Sequence, residues 1–197
     1  MVYLYATNVS MLEDPLENCS RMDAFSAERK EKVLSQKQKK KRLQSLGAGL
    51  LLNKVLNPYG LSMEAVQFDA NGKPFVDGVC FNLSHSGDMV ICAVSENEVG
   101  CDIEQIKDAP RLVAEKAFSV EEREQLQQIS DELYNKEFFR IWTKKESFLK
   151  MKGTGIRGVI RELEFDSCYI REYEIPGYQI TVCAKEPEFS ELIWEEF

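Results

Sequence analysis

Histidine is nearly absent from this chain: there is one among 197 residues, at position 85. Six cysteines stand at 19, 80, 92, 101, 168 and 183, but no two form a C-x-x-C pair. Without paired thiols or a second imidazole, a structural zinc site is not expected. Thiols inside apolar segments behave as small hydrophobes, so these read as reduced and structural. No apolar run approaches the roughly 20 residues that a spanning helix needs. The N-terminus, MVYLYATNVS, has no basic lead and no cleavage-type small residues after an apolar stretch. There is no G-x-x-x-x-G-K-[ST], which excludes a P-loop, and no G-x-S-x-G, which leaves a hydrolase elbow unsupported. Positive charge is in deficit, with a formal net charge of −8, which argues against nucleic acid as a partner. These absences leave a chain expected to be soluble and cytoplasmic, with no membrane partner. At 44% hydrophobic it can bury a real core, as one large domain or two small lobes.

What is present centres on residues 81–104, FNLSHSGDMVICAVSENEVGCDIE. It reads as three short strands joined by tight turns at Gly87-Asp88 and Glu96-Asn97-Glu98. His85 lies at one end, and Asp102 and Glu104 at the other. Residues two apart on a strand point the same way, roughly 6.5–7 Å apart. Two carboxylates on one face suit a hard divalent cation, since Mg²⁺ takes one or two carboxylates plus substrate phosphates.

Before this stretch, residues 2–9 read as a strand, and Met11, Leu12 and Leu16 suggest a short helix. A basic island follows Ser26, from Arg29 and Lys32 through residues 37–42. In an acidic protein it is a candidate landing site for a polyanion or an acidic partner. Leu43, Leu46, Leu50, Leu51 and Val55 keep helical spacing, and Gly47 and Gly49 suggest close approach by another backbone. Residues 66–68 form a short strand and 69–72 a turn. Lys73 is held extended by Pro74.

After Glu104, a helix is expected from Asp108 or Pro110 to about Phe118. Ser119 to Glu122 has the form of a capping box. A long helix should run from Asp131 through Lys150 and stop at Gly153-Thr154-Gly155. Glu146 and Lys150 are four apart on it, which alone reads as a surface ion pair worth about 0.2–0.5 kcal/mol. Strands are expected at 159–165, 169–174, 178–184 and 192–194. The order of elements looks similar in both halves, with a break near 101–107. Three carboxylates, one histidine and several lysines suit metal-assisted chemistry on a phosphate ester.

Gly72-Lys73-Pro74, Phe81-Asn82-Leu83-Ser84-His85-Ser86, Val99-Gly100-Cys101-Asp102-Ile103-Glu104 and Trp142-Thr143-Lys144-Lys145-Glu146-Ser147-Phe148-Leu149-Lys150 occur in this order. Together, over about residues 20–156, they resemble the 4′-phosphopantetheinyl transferases of the two-lobed surfactin-synthetase type. Cys101 stands where that family often has Val or Ile, and the last 40 residues carry no usable motif. The resemblance implies an α+β fold of two similar lobes related by a pseudo-two-fold axis. The lobes would span 1–101 and 102–197, with the active site in the cleft of a monomer. It implies transfer of the phosphopantetheine arm from coenzyme A to a serine of an apo carrier protein, of acyl, peptidyl or polyketide type, releasing 3′,5′-ADP. Asp102, Glu104 and Glu146 resemble the Mg²⁺ ligands. Arg29, Lys32, Ser45, Lys73, Ser84 and His85 fall where the family contacts coenzyme A. Lys150 resembles the lysine that positions the pyrophosphate or the attacking serine. Glu146 acts as or orients the general base, with a metal-bound water as the rival. Glu122 aligns with an acidic residue near the site, although capping is its expected task. Lys144, Lys145 and Lys152 are the expected docking cations for the carrier. Two alternatives remain open: a non-catalytic coenzyme A or nucleotide-binding module, and a magnesium-dependent phosphohydrolase.

Overall fold

The computed structural model describes residues 1–70, 72–155 and 160–197. Its strands are β1 (Val2–Asn8), β2 (Gln67–Phe68), β3 (Pro74–Phe75), β4 (Cys80–Ser86), β5 (Met89–Ser95), β6 (Val99–Gln105), β7 (Tyr169–Ile175), β8 (Tyr178–Ala184) and β9 (Phe189–Trp194). Its α-helices are α1 (Ala27–Leu34), α2 (Lys39–Leu56), α3 (Arg111–Ala117), α4 (Val120–Gln128) and α5 (Asp131–Lys152).

The strands build a four-stranded sheet in the order β4-β5-β1-β9 and a three-stranded sheet in the order β6-β8-β7. In the first half, β1 and β4 flank β5 and both run antiparallel to it. In the second, β6 and β7 flank β8 in the same way. Each half thus runs strand, helices, strand, strand, with its third strand in the middle. The mixed α+β class follows directly. The strand at the C-terminal end, β9, leaves the second half and pairs in parallel with β1. No helix among the described residues is long and apolar enough to cross a membrane.

Alternation along β1 and β5 feeds two cores. Val2, Leu4, Ala6, Met89, Ile91 and Ala93 pack against Val99, Cys101, Ile103, Ile180 and Val182 between the sheets. The other face of the first sheet is covered by α2 through Leu46, Leu51, Val55, Val90 and Cys92. The close approach expected at Gly47 and Gly49 is real, but its agents are side chains rather than backbone. A methyl group on Gly47 would meet Val9 Cγ1 at 2.4 Å, and one on Gly49 the Phe25 ring at 2.5 Å.

The helix α5 covers the second sheet. Thr143 and Ser147, one turn apart, face Thr181 and Cys183, two apart on β8. Thr143 Oγ1 and Thr181 Oγ1 are 2.8 Å apart, and Ser147 Oγ lies 3.0 Å from Cys183 Sγ. Beside them, Gly100 on β6 gives α5 room to lie directly on the strand. A methyl group there would sit 2.1 Å from the Ser147 carbonyl oxygen.

Several sequence expectations change. No helix forms around Met11, Leu12 and Leu16; turns lead to a short 3-10 segment at Ser20–Met22. Asp14 caps a turn by accepting from the Leu16 N–H, and its carboxylate holds buried Arg42 through two bonds of 2.8 and 2.6 Å. That pairing also removes Arg42 from the basic island. Position 159 lies outside the described residues, and 160–165 is turn and coil rather than strand. The capping box forms as expected, with Ser119 and Glu122 each satisfying the other's backbone N–H.

Candidate active site

The strands β4 and β6 lie side by side without forming a backbone ladder, and side chains stitch them together. Asn82 Oδ1 accepts from the Cys101 N–H at 2.9 Å. Ser84 Oγ donates to Asp102 Oδ1 at 2.8 Å, and Ser86 Oγ to Glu104 Oε2 at 2.7 Å. Period-2 geometry explains the pattern: 82, 84 and 86 share one face of β4. Ser86 received no role from the sequence. The polar alternation Asn82-Ser84-Ser86 was the signal that could have found it.

The residues that α5 contributes are Glu146 and Lys150, on the turn that rests against Gly100. Lys150 Nζ donates to Asp102 Oδ1 at 2.6 Å and to Ser84 Oγ at 2.9 Å. Asp102 is buried. Its Oδ2, and Oε1 of Glu146, are buried and have no hydrogen-bond partner. Burial, then the charge of Asp102, then that of Glu104, push the Glu146 carboxyl above its ordinary range, against the pull of Lys150. Burial first and Asp102 next raise Glu104, while its bond from Ser86 opposes them. Burial, the largest single influence, would lower Lys150, but the charges of Asp102, Cys101 and Glu146 and the bond to Asp102 together outweigh it, and the net shift is upward.

The remaining expected residues sit apart from this cluster. Arg29, N-capped into α1 by Ser26, donates to the Ser45 carbonyl at 2.5 Å. Its Nε is buried and unpartnered, and burial lowers the guanidinium pKa. Lys32 is exposed and lies over the Phe68 ring at 5.1 Å. His85 alternates with Ser84 and Ser86 and so points to the other face of β4. Partial burial, then the charge of Lys41, lowers the imidazole pKa from its ordinary value. Lys73 donates from Nζ to the Met151 carbonyl at 3.0 Å, a partner that the sequence did not foresee.

Lys145 is a correction. Expected as an exposed docking cation, it is 1% exposed. Its Nζ pairs with Glu122 Oε2 at 2.9 Å and donates to the carbonyls of Ile160 and Arg161. Such a cation cannot meet a partner protein. Glu122 therefore both caps α4 and neutralises a buried lysine.

Two cavities join these residues. One is lined by Arg29, Lys32, Phe68, Pro74 and Leu83 among others. Another is lined by Lys73, Pro74, Leu83, Leu149 and Lys150 among others. They share Pro74 and Leu83, so the two adjoin as a groove with the basic pair in one part and Lys150 in the other.

The donor chemistry of Asp102, Glu104 and Glu146 fits a hard divalent cation. Lys150 pairs with Asp102, but one lysine against three carboxylates leaves the cluster acidic, and two of its buried carboxylate oxygens have no partner. As placed, with Lys150 on Asp102 and Ser86 on Glu104, no three acidic, histidine or cysteine side chains among the described residues close around one point.

Comparison with known proteins bears on the family. The family model of the 4′-phosphopantetheinyl transferase superfamily matches residues 98–196. The 4′-phosphopantetheinyl transferase psf-1 of Bacillus pumilus is 34% identical over 170 residues, covering 75% of this chain and 73% of that protein. The transferase ffp of Bacillus subtilis is 32% identical over 206 residues, 90% of each chain. The transferase Sfp of Bacillus subtilis strain 168 is 31% identical over 205 residues, 90% of this chain and 89% of that one. Among solved structures, Thermotoga maritima holo-[acyl-carrier-protein] synthase aligns with a TM-score of 0.37 at 17% identity. It covers 44% of this chain and 61% of that one, too loose a match to bear on the fold. With relatives spanning nine-tenths of its length, the chain belongs to the 4′-phosphopantetheinyl transferase superfamily.

Proposed function

We propose that this chain transfers the 4′-phosphopantetheine arm of coenzyme A to a serine hydroxyl of an apo carrier protein, releasing 3′,5′-ADP. The observation that carries the reading is the groove, with cations at one end and an acid–lysine cluster at the other. Arg29 and Lys32 suit the remote phosphate of coenzyme A, with Ser45, whose carbonyl accepts from Arg29, at the same end, and His85 is assigned to another of its phosphates. Asp102, Glu104 and Glu146 would hold Mg²⁺, which when bound neutralises charge on the pyrophosphate.

The chain's own residues account for the rest. A raised pKa brings Glu146 nearer the working pH, which suits a general base. It takes the proton of the carrier serine as that oxygen bonds to the phosphorus bearing pantetheine. The bond from this phosphorus to the oxygen of the 3′,5′-ADP portion breaks as the new one forms. Lys150, held by Asp102 and Ser84, is placed to stabilise negative charge on the departing phosphate. Ser84 serves by orienting Lys150 and Asp102.

The fold supports two lobes related by a pseudo-two-fold axis, because both halves repeat one strand order, and since β6 opens the second at Val99 the division is better placed between β5 and β6 than at 101 and 102. The strand β9 is the exception, crossing back to the first lobe. A groove completed within one chain supports a monomer. Six free cysteines support work in the reducing cytoplasm.

Intact-mass spectrometry tests the function. Apo carrier, coenzyme A, Mg²⁺ and this protein should together give a carrier heavier by one phosphopantetheine. No gain on acyl, peptidyl or polyketide carriers would sink the reading. Release of the arm from coenzyme A alone would make the protein a phosphohydrolase instead.

A further inference from the structure

Lys73 sits in the groove wall, where a phosphate contact is the obvious assignment, yet its ammonium is spent elsewhere. Nζ donates to the carbonyl of Met151, in the last turn of α5. The last four carbonyls of a helix lack partners within it, and the helix dipole puts partial negative charge there. Gly153, in the left-handed conformation, covers the Lys150 carbonyl through its N–H. Lys73 supplies a cation to the next one. The aliphatic stem of Lys73 lies against the same cap, since a methyl group on Gly153 would touch Lys73 Cδ at 3.5 Å.

The other end of Lys73 is equally fixed. Its N–H donates to Asp69 Oδ1 at 2.9 Å, and its carbonyl accepts from the Asp69 N–H at 3.0 Å. Pro74 restricts its backbone to extended conformations. The hairpin of β2 and β3 therefore presents this side chain from a rigid base. Pro74 lines both cavities of the groove, and Phe68 one of them. Met151 follows Lys150, the residue bonded to Asp102, and is itself buried.

From this geometry we infer that Lys73 is a positioning residue. It ties the last turn of α5, and with it Lys150 and Glu146, to the hairpin that walls the co-substrate groove. It does not act as a phosphate ligand. Chemistry on the helix and binding against the hairpin are coupled through this ammonium-to-carbonyl contact. The inference rests on the transferase reading for its catalytic part only.

The test compares Lys73→Met with Lys73→Arg, and has two readouts. The first is amide hydrogen exchange over residues 149–153, without co-substrate. The Met variant should exchange about tenfold faster or more there, as expected for loss of a charged hydrogen bond, and the Arg variant should restore much of the protection. The second is steady-state transfer from coenzyme A and from dephospho-coenzyme A. The Met variant should lose about tenfold in kcat with both, and the preference between them should not change. Arg42→Met, which weakens a distant buried pair, should leave kcat unchanged below its melting temperature and so controls for general loss of stability. Unaltered exchange in the last turn overturns the inference. So does a loss confined to KM for coenzyme A and absent with the dephospho form, which would make Lys73 a phosphate ligand. Should the Met variant fail to fold, Lys73→Gln, a neutral donor, is read by the same criteria. If the wild-type protein transfers nothing, the functional reading has failed, and the exchange data still decide the clamp.

Discussion

Replacing Gly100 by Ala should separate the catalytic pairs without touching any catalytic side chain. A methyl group at this position would lie 2.1 Å from the Ser147 carbonyl oxygen, 2.3 Å from the Met151 N and 2.8 Å from the Met151 Cα. Ordinary contact starts near 3.4 Å, so α5 must retreat from β6 by about 1 Å. All three atoms are backbone, so no rotamer change relieves the clash. Overpacking of this kind costs about 1–3 kcal/mol, a fall in Tm of about 2–12 °C for a chain of this size. The retreat carries Lys150 away from Asp102, where Nζ and Oδ1 are 2.6 Å apart. A misplacement of about 1 Å can cost on the order of 100-fold in rate. Transfer to an apo carrier, followed by intact mass well below the variant's Tm, should fall by about that factor. Near-normal kcat with a clearly lowered Tm would refute the reasoning, since α5 would then have moved without consequence for chemistry. An unchanged Tm would mean that the close approach is not there.

Glu146→Gln should abolish transfer and yet raise Tm in buffer containing a metal chelator, because it removes one of three neighbouring carboxylate charges; a lowered Tm would show that the charge is compensated inside the protein. Arg42→Met should lower the midpoint of denaturant unfolding by leaving Asp14 without its cation. Arg42 holds Asp14 at a pKa of about 2, against 3.8 for the ordinary group. A depressed pKa contributes stability above 3.8 that is lost as pH falls toward 2, so the wild type should weaken across that window and the Met variant much less. Arg29→Ala and Lys32→Ala should raise KM for coenzyme A more than they lower kcat, and dephospho-coenzyme A should narrow the gap from wild type; an undiminished gap would move both residues away from the remote phosphate.

Elements whose causes are local could be read from the chain. The strand at 178–184 and the Ser119 capping box match the structure, because alternation and cap chemistry act within a few residues. The α5 helix was legible from its spacing and its glycine stop. What escaped depends on partners far away in sequence. Arg42 and Lys145 read as surface cations because their types usually are. Asp14, 28 residues upstream of Arg42, together with the Gln36 and Lys37 carbonyls, and Glu122 with two carbonyls beyond the helix, make their burial tolerable. Nothing in the composition of β9 announces a parallel pairing with β1, and register across such a distance leaves no local mark. The site follows the same division. Asp102 and Glu104 were visible as a pair, whereas the serines that hold them were visible only as part of a motif.

The uncompensated atoms of the structure point the same way as its groove. Five buried side-chain atoms among the described residues have no hydrogen-bond partner. Two, in Gln44 and Gln179, belong to neutral amides and cost little by comparison. The three on charged groups are Arg29 Nε, Asp102 Oδ2 and Glu146 Oε1. They do not scatter over the molecule. The cation stands at one end of the groove and the two carboxylates belong to the cluster at the other. Leaving a buried atom of a charged group unpartnered is costly even where the rest of the group is bonded, as Asp102 is to Lys150, and a chain shaped for stability alone would place apolar residues at such positions. A co-substrate that brings a phosphate to Arg29 and a cation-bound pyrophosphate to Asp102 and Glu146 would compensate all three at once. That coincidence of sign and position favours a ligand anionic at both ends over a neutral one.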